Sequence, residues 1–168
     1  AGGMTDRGGV ASNSDIYVLG FQECGGILGK REVDVETSLT RYFEHQSPGQ
    51  YTLLTKVGMW EMRLYVYIKT VHIEKISGIR KDRRAMGILN VIGNKGSLAV
   101  SFSVLESSMC FICVHLPARA ERLTQRNEMT DSILSSIFPS EKRIPILLQF
   151  DHLFFFGDLN YRVDLDYD

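Results

Sequence analysis

Apolar residues in this chain come in short runs that end abruptly in polar ones. Asp15–Phe21 reads Asp-Ile-Tyr-Val-Leu-Gly-Phe, and Gln22-Glu23-Cys24-Gly25-Gly26 follows. Leu153–Phe156 is continuously apolar, Gly157 breaks the run, and Asp158 and Asn160 come next. Both runs predict strands, the second buried on both faces. Leu64, Val66 and Ile68 alternate with Tyr65 and Tyr67, which predicts a strand over Arg63–Lys69 after one at Tyr51–Val57. His72–Ile76 extends that sheet. Ile88–Ile92 and Ser97–Val104 flank Gly93-Asn94-Lys95-Gly96, a hairpin signal, and Met109–His115 adds a strand that ends in histidine. Val35, Leu39, Tyr42 and Phe43 fall on one face of a helix from about Arg31 to His45, stopped by Ser47-Pro48-Gly49. Leu123, Met129, Ile133, Leu134, Ile137 and Phe138 mark a second helix from about Glu121 to Phe138, closed by Pro139. Gly78–Arg84 reads as a basic loop and Ser140–Asp151 as a connection.

The helices are too sparse for strict alternation with strands. The order therefore points to an α/β or α+β sandwich with antiparallel hairpins. Length adds that 168 residues suffice for one ordinary core. Residues 1–14 form a flexible Gly-rich N-terminus, and 15–168 hold a single unit without repeat or linker. A 44% hydrophobic and 23% charged composition is that of a soluble globular domain. The net charge of −1 makes no general electrostatic case for nucleic acid or membrane, so any basic site is local. Cys24, Cys110 and Cys113 are an odd set, which argues for a reducing, cytoplasmic setting. Cys110 and Cys113 have the C-x-x-C spacing but sit in an apolar strand with no second pair to complete a zinc site.

Three predicted strands end in polar groups: Gln22-Glu23, His115 and Asp158-Leu159-Asn160. Singly, each is an ordinary strand end or turn. Together they supply carboxylates for a hard cation and an imidazole for proton transfer or phosphate contact, the parts of metal-assisted phosphate-ester hydrolysis. Lys95, in a Gly-rich turn, offers a point charge to an anion or is simply part of the turn. Arg80, Lys81, Arg83 and Arg84 form the densest basic cluster, either a solvated loop or a patch for acidic lipid. Arg126-Asn127, early in the second helix, either reaches the site or solvates a helix face.

As a set, these segments resemble the inositol polyphosphate 5-phosphatases of the deoxyribonuclease I-like endonuclease/exonuclease/phosphatase superfamily. The segments are Asp15–Glu23, Gly93–Gly96, Phe111–Leu116, Arg126-Asn127 and Phe156–Arg162, in order along nearly the whole chain. Gly-Asn-Lys-Gly followed by Gly-Asp-Leu-Asn-Tyr-Arg is the specific part. The resemblance implies a four-layer α/β/β/α sandwich with its site at one rim. It also implies Mg²⁺-dependent removal of the 5-phosphate from phosphoinositides or soluble inositol polyphosphates at the cytosolic face of membranes. By position, Glu23 resembles the Mg²⁺ ligand, His115 the contact to the scissile phosphate, Asp158 the residue that positions water and Asn160 the stabiliser of phosphate charge. Asn94, Lys95 and Arg126-Asn127 resemble substrate-side positions. Arg80, Lys81, Arg83 and Arg84 lie where the family meets the inositol 1-phosphate and the bilayer. The rival readings are another superfamily phosphodiesterase and a non-catalytic module that binds phosphoinositide or protein.

Two departures matter. Arg119 stands where the family commonly has Gly, so it is strained if that position needs a positive φ. The family's early strand ending in Asn, its Trp-Cys-Asp-Arg segment and its terminal Ser-Asp-His are not found in the 168 residues. The sandwich is therefore expected to be incomplete, with apolar surface beside Leu153–Phe156 exposed and prone to aggregation. These residues alone are expected not to turn over substrate. Mg²⁺-dependent phosphate release from the purified 168-residue chain, abolished by Asp158→Ala, would overturn that expectation.

Overall fold

The computed structural model describes residues 14–25, 34–86, 95–139 and 144–162. Its elements run β1 (Ile16–Phe21), α1 (Val35–Gln46), β2 (Tyr51–Met59), β3 (Met62–Lys69), β4 (Ile76–Ala85), β5 (Gly96–Val104), β6 (Ser107–His115), α2 (Leu123–Ser136) and β7 (His152–Asp158). Asp34 caps α1 by accepting a hydrogen bond from the Thr37 amide at 2.9 Å. The strands form two sheets, ordered β1-β3-β2 and β4-β5-β6-β7. Every pairing is antiparallel except β6 with β7. That parallel pair needs a crossover, and α2 is its helix.

Period-two patterning explains the layers. Leu64 and Val66 of β3 face Leu98, Val100, Phe111 and Cys113 of the second sheet, which makes the inter-sheet core. Tyr65 and Tyr67, one residue out of phase, turn outward onto Val35 and Phe43 of α1. Ala99, Cys110, Ile112 and Val114 turn the other way, onto Met129 and Ile133 of α2. The result is the expected α/β/β/α sandwich. The same alternation sends Cys110 and Cys113 to opposite faces of β6, so they cannot act as a pair. Burial pushes each thiol up to about 12, away from reactivity.

Three expectations need correction. The basic segment Gly78–Arg84 is not a loop: it lies within β4, paired with β5 from Ile76 to Ala85. Charge is tolerated there because β4 is the edge of its sheet. His72 lies in a short 3₁₀ turn, Thr70–Lys75, and not in a strand. β7 is not buried on both faces: its residues are exposed or half-buried, and among the described residues it stands at the edge of its sheet. Its apolar side chains do serve both faces, with Phe155 toward α2 and Phe156 between the sheets. Phe154 stacks on Phe111, ring centroids 4.9 Å apart, yet stays 48% exposed. Asn94 and Ile88–Ile92 lie outside the described residues, so the first arm of the predicted hairpin is not seen. Instead β4 pairs with β5, and the Met86 amide donates to the Lys95 carbonyl at 3.0 Å.

The two sheets approach closely at Gly20. A Cβ there would sit 2.4 Å from Cys113 Sγ and 3.0 Å from the Phe156 ring. Gly20→Ala should therefore cost about 1–3 kcal/mol of overpacking. Adding Cys113→Ala should recover most of that loss. Urea denaturation of the two single variants and the double variant measures the coupling; additive effects would refute the contact.

Candidate phosphate-processing site at the sheet rim

The carboxyl ends of β1, β6 and β7 and the start of β5 meet at one rim. Register explains why: Gly96 lies opposite His115, and His115 opposite Asp158. The sequence places a polar residue at each of these strand ends, and the ladder brings them level. His115 is 1% exposed and is the centre of the cluster. Its Nε2 lies 3.3 Å from Asp158 Oδ2 and 3.9 Å from Glu23 Oε1. Lys95 Nζ also contacts His115 Nε2. Between these partners Nε2 either accepts from the Lys95 ammonium or donates to the Asp158 carboxylate, according to the tautomer. Burial holds the Lys95 ammonium below its ordinary value, while the charges of Asp158 and Glu23 pull it back up.

Backbone geometry fixes these groups. Glu23 has φ 58, which turns the chain sharply at the end of β1. Gly157 has φ 124, and a Cβ there would lie 2.3 Å from the Val114 carbonyl oxygen, so no larger residue fits beside β6. Asn160 has φ 52, a left-handed conformation that Asn accepts more readily than most residues. Its Nδ2 donates to the Leu116 carbonyl at 3.0 Å, and the Leu116 amide donates to the Asp158 carbonyl at 2.9 Å. The exits of β6 and β7 are thus tied to each other. Arg119 has φ 82 and ψ 142, so the strain foreseen for it is present. Such a conformation costs a non-glycine residue on the order of 1–3 kcal/mol.

The other candidates are placed differently. Arg126 is 1% exposed, and its guanidinium donates to main-chain carbonyls, which argues against direct substrate contact. Asn127 accepts from the Tyr161 hydroxyl at 2.7 Å. Arg84 donates to Asp82 Oδ2 at 3.0 Å and to the Ser136 carbonyl. Arg80 lies over the Phe138 ring at 4.6 Å. Asp82 accepts from the Phe138 amide at 2.9 Å. Arg80, Asp82 and Arg84 therefore link the end of α2 to β4, and Arg80, Lys81 and Arg83 are exposed. Sequence reasoning missed Asp82. It marked Gln22 only as part of a polar strand end; Gln22 Nε2 donates to Cys113 Sγ at 3.1 Å and packs against Gly157. The adjacency of Gln22 to Glu23 was the available signal.

Among the described residues no group of three His, Cys, Asp or Glu side chains is arranged to hold a metal ion. The donors present do fit a hydrated hard cation. Mg²⁺ commonly takes one or two carboxylates and completes its shell with water and substrate oxygens. Glu23, whose side chain is 69% exposed, offers such a carboxylate next to Asp158. Among the described residues no helix is long and apolar enough to cross a membrane.

Comparison with known proteins follows the same lines. A family profile described as Endonuclease/Exonuclease/phosphatase family 2 matches residues 7–168. The chain is 34% identical over 169 residues to phosphatidylinositol 3,4,5-trisphosphate 5-phosphatase 2A of Danio rerio, covering 98% of this chain and 13% of that protein. It is 30% identical over 173 residues to synaptojanin-2 of Homo sapiens, covering 99% of this chain and 11% of that protein. The chain thus spans a small part of these relatives. Among solved structures, it is similar to the inositol polyphosphate 5-phosphatase domain of SPsynaptojanin in complex with inositol (1,4)-bisphosphate and calcium ion. The TM-score is 0.76 at 26% identity, over 92% of this chain and 46% of that one. A Cimex nitrophorin shares the fold, with a TM-score of 0.65 at 18% identity.

The lowered Lys95 value has a thermodynamic consequence. The folded chain binds the Lys95 proton less tightly than the unfolded chain does. Stability from this residue therefore rises as pH climbs from the folded value toward the ordinary lysine value. Urea melts of the wild type and Lys95→Met across the alkaline range should show the wild type gaining relative to the variant. A constant difference would mean that Lys95 is not desolvated.

Proposed function

The chain belongs to endonuclease/exonuclease/phosphatase family 2, and from that membership we propose that it serves Mg²⁺-dependent removal of the 5-phosphate from phosphoinositides or soluble inositol polyphosphates. The observation that carries this reading is the convergence of Glu23, Lys95, His115 and Asp158 at one rim, drawn from both sheets. Residues 15–168 are read as part of one catalytic domain. A divalent cation, Mg²⁺ on this reading, would be held by Glu23 and would neutralise phosphate charge.

This chain's own groups do the rest. The Asp158 carboxylate, 42% exposed, orients a water and accepts its proton. His115 is buried and cannot swing away, so its Nε2 is held toward the position of the scissile phosphate. Lys95 adds a desolvated cation, whose pull on a phosphate is stronger than that of a surface lysine. Asn160, held by its bond to Leu116, offers its amide to the developing negative charge. Asn94, outside the described residues, is read as a substrate contact beside Lys95. Lys81 and Arg83, exposed on the edge strand β4, would meet an acidic membrane surface at the cytosolic side, each contributing about 1 kcal/mol near such a surface.

Phosphate release from inositol 1,4,5-trisphosphate by the full-length protein tests the assignment. Asp158→Asn and His115→Ala should each lower kcat by roughly 10²-fold or more with the melting temperature unchanged. Glu23→Gln should raise the Mg²⁺ concentration needed for half-maximal rate. Near-normal turnover in Asp158→Asn would remove its role. Tight phosphoinositide binding with no turnover in the wild type would favour a binding module over an enzyme.

A further inference from the structure

Arg126 is a buried cation that, among the described residues, donates its hydrogen bonds to main-chain carbonyls and to no carboxylate. Its Nη1 donates to the carbonyls of Pro117 at 3.1 Å and Arg119 at 2.6 Å, and its Nη2 donates to that of Ala120 at 3.3 Å. Burying a guanidinium is costly unless its donors are satisfied, and here the loop that follows His115 engages both terminal nitrogens, while Nε has no hydrogen-bond partner among the described residues. The arrangement also serves the loop, whose carbonyls point inward and need donors. Arg119 holds its strained φ of 82 while its carbonyl accepts the shortest of these bonds.

The second strand exit reaches the same place. The Tyr161 ring lies 5.4 Å from the Arg126 guanidinium carbon and covers it. The Tyr161 hydroxyl donates to Asn127 Oδ1 at 2.7 Å. Tyr161 directly follows Asn160, whose side chain is bonded to the Leu116 carbonyl. One turn of α2 therefore grips the segment after His115 through Arg126, and the segment after Asp158 through Asn127 and Tyr161.

We propose that Arg126, Asn127 and Tyr161 are a positioning unit: they set His115, Asp158 and Asn160 relative to one another without touching substrate. The fork of a guanidinium spans three carbonyls, which a lysine ammonium cannot reproduce. Tyr161 has a dual function, since its ring caps the cation and its hydroxyl fixes the register of the β7 exit. The inference rests on the phosphatase reading above for its kinetic consequences, but the loop ordering stands without it.

The test uses the full-length protein, with inositol 1,4,5-trisphosphate as substrate and hydrogen exchange as a second measurement. Arg126→Lys should lower kcat by roughly 10²-fold, as misplacement of reacting groups does, with KM within about twofold. It should also speed exchange at 118–122 and 159–162. Tyr161→Phe is a milder variant that keeps the fold and the ring. It should lower kcat less, and to the same extent in the Asn127→Ala background as Asn127→Ala does alone. A rise in KM with kcat unchanged, larger at low salt, would make Arg126 a substrate contact and overturn the proposal. Unchanged exchange in both segments would overturn it as well. A wild type that releases no phosphate would defeat the phosphatase reading, and exchange in the variants would still decide whether Arg126 orders the loops.

Discussion

Gly20 of β1 faces Cys113 of β6 across the two sheets with no room for a methyl group between them. This close approach sets the exit of β1 beside the exits of β6 and β7. Two residues beyond Gly20, the Gln22 amide bonds Cys113 Sγ and packs against Gly157, one residue before Asp158. Glu23 follows at once, turned by its positive φ. The carboxylate from one sheet is thereby delivered to the imidazole and carboxylate from the other. A wider gap at Gly20 would separate Glu23 from His115 by the width of a side chain. The metal-binding and phosphate-binding halves of the proposed site would then no longer share one ligand.

Charge is distributed with equal economy. The chain is nearly neutral as a whole, yet its rim holds an ammonium, an imidazole and two carboxylates within a few ångströms. Burial makes that cluster consequential, because a desolvated cation and a held histidine interact with a phosphate more strongly than exposed ones do. Several other basic residues are structural. Arg84 and Arg80 hold the end of α2 to β4, and Arg126 holds the loop after β6. The densest basic run in the sequence is therefore split by strand alternation, with one side anchoring a helix and the other facing solvent.

Strain is placed where the three strand exits are shaped. Glu23, Arg119 and Asn160 have positive φ, and all lie within a few residues of the rim. Glu23 Oε1 there reaches His115, Asn160 Nδ2 reaches the Leu116 carbonyl, and the Arg119 carbonyl meets Arg126. Arg119 is the costly one, and the bond from Arg126 to its carbonyl offsets part of that cost.

The sequence by itself determined both helices, the strands other than β4, and the polar residues at the ends of β1, β6 and β7. Abrupt apolar-to-polar transitions at Phe21, His115 and Gly157 are local signals, and local signals survive without a partner. The motif set was equally legible, because it is a matter of residue type and spacing. Only the tertiary structure decided that Gly78–Arg84 is an edge strand, since pairing with β5 is a long-range event and its charges obscured the alternation. It alone decided that β7 is half-exposed, because burial depends on what stands next to an edge. It alone gave Arg126 a buried, structural task, for a helix-face arginine looks the same in sequence whether it meets solvent, substrate or three carbonyls. The physical reason is common to all three: composition and periodicity fix what a residue prefers, but which neighbour satisfies it is settled only when distant segments pack.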